Sequence, residues 1–578
     1  MKKIFFYFIA AATLAVSSCD QSLDEVPLDF YTPENSYTNK ANFESALANI
    51  YLGIRTNFYA AADARESYDM LGMDLDLANL QTNASVLKTT YFQWNAINAD
   101  NAFAGKWWNR LYSIIAQTNT IIDRADQPTA VWASAAEKNA IVGEAKFLRA
   151  FAYHFLANMW GDVPLVLNET KTPKFDYVRA PQVDVYLQCK ADLDFATQNM
   201  PVIGTLKGGR APREAAYHLL SEVKIALKDY DGAIAAASAV IDGGKCGLMT
   251  ARFGVNKNFT FTGYTYQGTP APWGDVYWDL FQKGNMFYNQ QGNREAIWNI
   301  SQDPFIKGGN NTDVHAGGGL FVMERWWGPF ISNAAGADGR KNGVMNILQG
   351  RPVAGIIVSD YASNIIWNYK GDFTKDIRNS QANIQRNFYY TTTNTASPTR
   401  GQLITKTNCD APTLALWDVE LTPHFKKFVS ESPKNPALAK DATSGQSYDN
   451  GRTWKDWYIM RLAETYLLRA EAKMLKGDLS GAATDINAVR ARSSATLVVA
   501  GDVNMDLILD ERARELYGEE FRINTLYRTG KLVEYMNKYN GYLLANGLTA
   551  VPRASKLPIP RAQIEANTGA KMENNTGY

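Results

Sequence analysis

Apolar residues recur with a period near 3.6 over residues 41–55, 104–126, 134–159 and 183–198, and again over 505–517 and 526–538. A stripe at that spacing buries one face of a helix, so each segment is predicted helical. Residues 243–455 break the pattern. They are rich in Gly, Asn, Thr and aromatic residues and hold no period for long. An irregular stretch of that length inside a compact scaffold usually carries function. The chain therefore divides into an N-terminal helical region 19–242, a loop-rich insertion 243–455 with short strands and helices, expected to hold the ligand, and a helical region 456–578 that returns to the scaffold.

Residues 217–240 and 466–489 align without a gap at an offset of 249. Tyr217 matches Tyr466, Leu219 Leu468, Glu222 Glu471, Lys224 Lys473, Asp229 Asp478, Gly232 Gly481, Ala233 Ala482 and Val240 Val489. Each copy reads as two helices joined by a tight turn, with Gly477 suited to the residue after a helix and Asp478 to an N-cap. In the second helix of the first copy Tyr230, Ala233, Ile234, Ala237, Val240 and Ile241 share one face; Leu479, Ala482, Ala483, Ile486 and Val489 do so in the other. The copies resemble tetratricopeptide-type hairpins, which stack because one pair cannot bury its own apolar face. The expected fold is mostly α, a helical-hairpin scaffold carrying the large insertion.

The first residues read as an address. Lys2 and Lys3 precede an apolar run from Ile4 to Val16, too short to span a bilayer and suited to a signal peptide covering 1–18. Val16-Ser17-Ser18-Cys19 resembles the lipobox of bacterial lipoproteins, in which the thiol is diacylated and the new amine is acylated. Each buried CH₂ of such chains contributes about 0.8 kcal/mol, so several chains together hold stably. Asp20 follows, a residue that in the enteric sorting pattern favours the inner membrane. Loss of Lys2 and Lys3 takes the formal charge from +1 to −1. No basic stripe is present, so nucleic acid is not an expected partner. Four His and four Cys leave little for a metal or nucleophile site. Cys189, Cys246 and Cys409 have no CxxC spacing and allow at most one disulfide. His154 and His218 lie in predicted helices, where packed histidines are expected. No Gly-x-Ser-x-Gly, His-Glu-x-x-His or P-loop string occurs, and neither a catalytic residue nor a cofactor is expected.

Several blocks resemble the SusD/RagB family of outer-membrane nutrient-binding lipoproteins. Ser22-Leu23-Asp24-Glu25-Val26-Pro27 is similar to its short acidic opening. Glu144 through Tyr153, followed by Trp160-Gly161-Asp162-Val163-Pro164-Leu165, looks like its best-known internal motif. Gly209-Arg210-Ala211, Arg461 through Tyr466, Asn487 through Arg492, Glu511 through Leu516, Leu557-Pro558-Ile559-Pro560 and the terminal Asn574 through Tyr578 match in order. Tyr517 through Arg522 departs from the family string. The resemblance implies four tetratricopeptide-like units, a lipid anchor at Cys19 and a place on the outer membrane at the cell surface. It also implies a SusC-like TonB-dependent transporter as partner, with capture of oligosaccharides and no catalysis. Some relatives serve peptide uptake, so a peptide-capturing (RagB-like) or purely structural lid subunit is the alternative. A glycoside hydrolase is a weaker one, since no segment supports the paired carboxylates it needs.

Aromatic residues reach 12%, with 14 Trp and 30 Tyr. A sugar stacks its CH face on a ring while its hydroxyls need amides and charged groups. Trp94, Asn95 and Asn98 precede the helix beginning near Ala104; the resemblance implies a stacking Trp and a hydrogen-bonding Asn there, and Asn98 is the favoured amide. Trp273, Tyr277 and Trp278 form a second cluster, and Trp326 and Trp327 a third. The candidate ligand-binding set is Trp94, Asn98, Trp273, Tyr277, Trp326 and Trp327. Trp107, Trp108 and Trp160 sit in helical patterns or family blocks and are expected in the core. Cys19→Ala is predicted to move the protein from the membrane to the soluble fraction on cell fractionation; retention by the membrane would sink the anchor.

Overall fold

The computed structural model describes residues 36–60, 76–78, 97–206, 208–261, 270–302, 323–340, 350, 352, 354, 356–391, 396–429 and 455–578. The signal segment and Cys19 lie outside them. The first half supplies α1 (Lys40–Ile54), α2 (Ala102–Ala125), α3 (Ala135–Trp160), α4 (Gln182–Asn199), α5 (Arg213–Ala226) and α6 (Tyr230–Ile241). Each of α2 to α5 packs on its successor, and α1 lies against α2. α3 is the central post. Every residue from Phe147 to Trp160 is buried, as its nearly unbroken apolar and small sequence requires. Ser134 caps it, accepting the Glu137 N–H at 3.1 Å. Trp107, Trp108 and Trp160 are buried here, as the helical pattern predicted.

The insertion contributes short elements, among them β1 (Thr260–Phe261), β2 (Ala271–Pro272), α7 (Val276–Leu280) and β3 (Ala296–Ile300). Every sheet among the described residues has two strands. The C-terminal region opens with β4 (Trp457–Arg461) and continues through α8 (Leu462–Lys476), α9 (Leu479–Arg492), α10 (Met505–Leu516), α11 (Arg522–Arg528) and α12 (Leu532–Tyr539). β4 pairs antiparallel with β3, Trp457 opposite Ile300 and Arg461 opposite Ala296. That pairing ties the insertion to the returning scaffold. The architecture is the mostly α hairpin scaffold with short-stranded loops that the sequence predicted.

The duplicated segments are α5–α6 and α8–α9, and their turns match closely. Asp229 and Asp478 adopt φ, ψ of −84°, 71° and −83°, 72°. Each caps its helix, accepting the N–H of Gly232 at 3.0 Å and of Gly481 at 2.8 Å. A Cβ on either glycine would overlap the capping carboxylate, which explains why both copies keep Gly there. The residue before each aspartate is left-handed: Gly477 at φ 96° in one copy, but Lys228 at 62° in the other. α6 packs on α8, so the copies dock directly through Ile225, Ala233, Leu468 and Ala472. One arginine then grips both. Arg528 donates to Glu222 at 2.9 Å and to Glu471 at 2.5 and 2.8 Å, and these glutamates occupy equivalent positions in the two copies.

The single helix predicted over 526–538 is broken. Gly530 takes φ 69°, its N–H reaches Tyr527 O, and the Lys531 N–H reaches Leu526 O. These are the two bonds of a Schellman stop, which ends α11 at Arg528.

A buried ionic cluster joins the C-terminal helices to the insertion. Glu515 accepts from Arg461 at 2.6 Å, from Arg378 at 2.9 Å and from Arg492. Glu511, one turn earlier on α10, meets Arg490 at 2.7 Å, Arg378 at 2.8 Å and Arg514 at 2.9 Å. Glu295 beside β3 meets Arg461 at 2.5 Å and Arg492 at 3.3 Å, and Glu519 meets Arg461 and Lys427 at 2.8 Å. Next to this cluster Arg512 bridges Glu464 and Glu520, each at 2.6 Å. Burial alone would raise these carboxyls, but facing cations outweigh it. Arg378, Arg514 and Arg490 hold Glu511 well below the carboxylate range, and Arg492, Arg461 and Arg378 do the same for Glu515. Burial likewise opposes ionisation of Glu464, yet Arg512 and His218 bring it down to about 2.

Because these folded-state values lie below the unfolded ones, the stability they contribute is complete above about pH 4.5 and is lost as pH falls toward about 2. Urea unfolding at several pH values across that window should show a plateau in midpoint and then a fall. Glu515→Ala leaves Arg461, Arg378 and Arg492 short of a partner and should cost about 3–5 kcal/mol at neutral pH.

Candidate functional site

The insertion places its aromatic residues in two distinct settings. Phe259 and Phe261 alternate with Thr260, which puts both rings on one side of an extended segment. β1 pairs with β2, and the chain leaving β2 brings Trp273 beside them. Its N–H donates to Phe259 O at 2.9 Å, and its ring meets Phe261 edge-on at 5.1 Å. All three rings are half-buried, resting on buried Trp278 and Ala382. Trp278 covers the backbone of Gly274, where φ is 88° and a side chain would collide with the indole. Asp275 ties down the base. Its carboxylate caps α7 through the Trp278 N–H at 2.9 Å and accepts from Asn383 at 2.8 Å and Ser380 at 3.0 Å. Burial raises its pKa against those hydrogen bonds. Arg252 lies 5.8 Å from the Trp278 ring and donates to Asp279, and Asn256 donates to Gln282. The result is an aromatic tier on a rigid polar base, with amide and guanidinium groups around it.

The second setting is interior. Trp327 stacks on Phe428 at 5.3 Å and 15°, and Phe428 on Trp457 at 5.5 Å and 16°. The column continues through Phe281 to Tyr277. Lys427 sits 4.7 Å from the Phe281 ring, and the Tyr277 hydroxyl donates to Glu515 O at 2.6 Å. Gly518, at φ 71°, lets Phe428 approach where any side chain would overlap its ring. Trp327 is 1% exposed and Tyr277 3%, so the expectation that they contact ligand is corrected: neighbouring side chains already cover both rings. The structure brings these two predicted residues together, but inside the core.

Trp273 lies on the half-exposed tier. Asn98 is exposed in the turn leading into α2, where its Oδ1 accepts the Asp100 N–H at 2.9 Å and its amide N–H₂ stays outside that turn. Trp94 and Asn95 lie outside the described residues, as does the side chain of Trp326, whose backbone ends the short helix Met323–Trp326. Sequence reasoning misses Phe259 and Phe261; the available signal is their spacing of two, just upstream of a Trp-containing turn. Among the described residues no three His, Cys, Asp or Glu side chains group as metal ligands.

Two family models match separate parts of the chain. One, described as starch-binding associating with outer membrane, covers residues 28–225; the other, the SusD family, covers 363–578. Together the two matches make the chain SusD-like. SusD-like protein P25 of Formosa agariphila is 23% identical over 95% of this chain and 94% of its own length. Among solved structures, a laminarin binding SusD-like protein shares 21% identity at a TM-score of 0.63, covering 94% of this chain and 100% of the other. Surface glycan-binding protein A from Bacteroides thetaiotaomicron, in complex with laminarihexaose, shares 18% at a TM-score of 0.61, covering 93% and 100%. At these identities the SusD structures establish a shared fold. Trp327→Ala should open a cavity in this SusD scaffold and cost about 3–5 kcal/mol by thermal or urea unfolding. Trp273→Ala, on the half-exposed tier, should cost only about 1–2 kcal/mol.

Proposed function

We propose that this SusD-like protein captures oligosaccharides at the cell surface by aromatic stacking and hydrogen bonding, and passes them to a SusC-like TonB-dependent transporter without catalysis. The observation carrying the reading is the half-exposed tier of Phe259, Phe261 and Trp273 on its tied-down base. Rings already held in place lose little entropy on binding, and each sugar face they cover adds on the order of 1 kcal/mol. Trp94, Asn98 and Trp326 are assigned to the same task. Relatives named for laminarin and glycan binding support the ligand class. A lipid anchor at Cys19 would hold the protein on the outer membrane, and stacked hairpins offer an extended face to a large barrel.

A near-neutral chain taking a neutral sugar has little Coulombic handle, so binding should change little between low and high salt. In affinity electrophoresis the protein should be retarded by a neutral polysaccharide and release no new reducing ends. Trp273→Ala or Trp94→Ala should weaken that retention about tenfold, equivalent to about 1.4 kcal/mol. Capture of peptides and of no glycan would overturn the ligand class, and new reducing ends would make the protein a hydrolase. Gentle detergent extraction should bring down a much larger membrane protein at a fixed ratio; recovery as a free monomer would count against the transporter.

A further inference from the structure

We infer that a preformed pocket on the outer face of α2 is a second saccharide-binding site, sharing no residue with the aromatic tier; its ligand class rests on the function proposed above. The pocket has a volume of about 360 Å³, within the range of small-ligand sites. Its floor is the partly exposed ring of Tyr112, backed by the buried Trp108 indole at 4.9 Å and 40°. Tyr177 forms a wall. The backbone of that residue is bracketed by Asn567, which accepts its N–H at 2.7 Å and donates to its carbonyl at 2.8 Å. The Tyr112 hydroxyl donates to Pro164 O at 2.7 Å, fixing the floor to the facing segment. Lys174 stands 5.5 Å from the Tyr177 ring and is paired with Asp176 at 2.6 Å, so its charge is already matched. These walls are therefore set before any ligand arrives.

The rim is polar and uncharged. Gln563 Nε2 donates to Asn109 Oδ1 at 3.2 Å, which leaves the Asn109 amide N–H₂ as a donor beside the Gln563 carbonyl as an acceptor. Thr170 adds a hydroxyl, and no lining side chain carries a formal charge. A charged ligand would find no counter-charge, and a purely apolar one would strip water from the amides without replacing it. A neutral pyranose satisfies both surfaces. The larger cavity beside α1, about 530 Å³, is different in kind: Glu44, Arg55 and Arg210 line it, and Arg210 already pairs with Glu44 and Glu144.

Saturation-transfer NMR with laminarihexaose, maltohexaose and xylohexaose tests the site on the purified protein, on Trp273→Ala, and on Asn109→Leu combined with Tyr177→Ala. The expected result is a signal from at least one hexasaccharide, part of which survives Trp273→Ala and is lost when the double change is added. That loss should correspond to residual binding weakened at least about tenfold relative to Trp273→Ala. Should Tyr177→Ala disturb folding, Asn109→Leu alone, on an exposed helix position, serves as the probe and should lower the residual signal. If Trp273→Ala abolishes all signal and the double variant binds as wild type, the second site is wrong while glycan capture stands. If no hexasaccharide gives a signal, both claims fail. A signal from tryptic peptides of casein that the double variant loses would overturn the saccharide assignment in favour of peptide.

Discussion

The carboxylates of Glu511 and Glu515 are one turn apart on α10, and guanidinium groups from β4, α9 and the insertion converge on them. Their net energetic gain over an apolar core of equal volume is small, because removing so many charges from water is costly. Their geometric effect is large. An apolar contact tolerates a slip of one residue, whereas a bidentate ion pair between buried groups does not. Arg378 from the insertion, Arg461 from β4 and Arg492 from α9 must all arrive in register for Glu515 to meet its three guanidinium partners. The aromatic column stands directly on this cluster, since Tyr277 donates to the carbonyl of Glu515 and Lys427 lies between ring and carboxylate. The tier carrying Trp273 rests in turn on α7, the helix that holds Tyr277.

Much of the fold was legible because helices announce themselves locally. The apolar stripes set α1 to α4 and α10 to within a few residues, and the gapless repeat set α5–α6 and α8–α9. The one merged helix, 526–538, failed where a glycine inside a periodic stretch acts as a stop, just after Arg528, which meets Glu222 and Glu471. The aromatic residues were less legible. Trp273 and Tyr277 are four positions apart, yet Gly274 and the cap at Asp275 turn the chain so that one ring faces outward and the other reaches the ionic cluster. Composition cannot separate a ring on the surface from a ring in a column, because burial is decided by Phe428 and Trp457, far away in sequence.

The blocks that reveal the family say little about the ligand, for a physical reason. Arg461, Glu464, Arg490, Arg492, Glu511, Arg512 and Glu515 are members of the buried ionic groups. In the other half Arg149 is locked to Asp192 and Asn119, Arg210 to Glu144, and the Trp160 indole N–H to Pro558 O at 2.9 Å. Such residues have many simultaneous partners and little freedom to change. The rings of Phe259, Phe261 and Trp273 are half-buried at the surface, so they can change with less disturbance to that frame.

The grip of Arg528 on the duplicated hairpins has a kinetic side. Glu222 is made 306 residues before the arginine that neutralises it. At about 5–20 residues per second, that interval is roughly 15 to 60 s of synthesis. The first hairpin can form early from local contacts, but the guanidinium that bridges Glu222 to Glu471 arrives only near the end of the chain, and contacts of such long sequence separation close slowly. A chain truncated before Arg528 would carry an almost complete scaffold in which Glu222 and Glu471 lack the guanidinium that bridges them across the repeat interface.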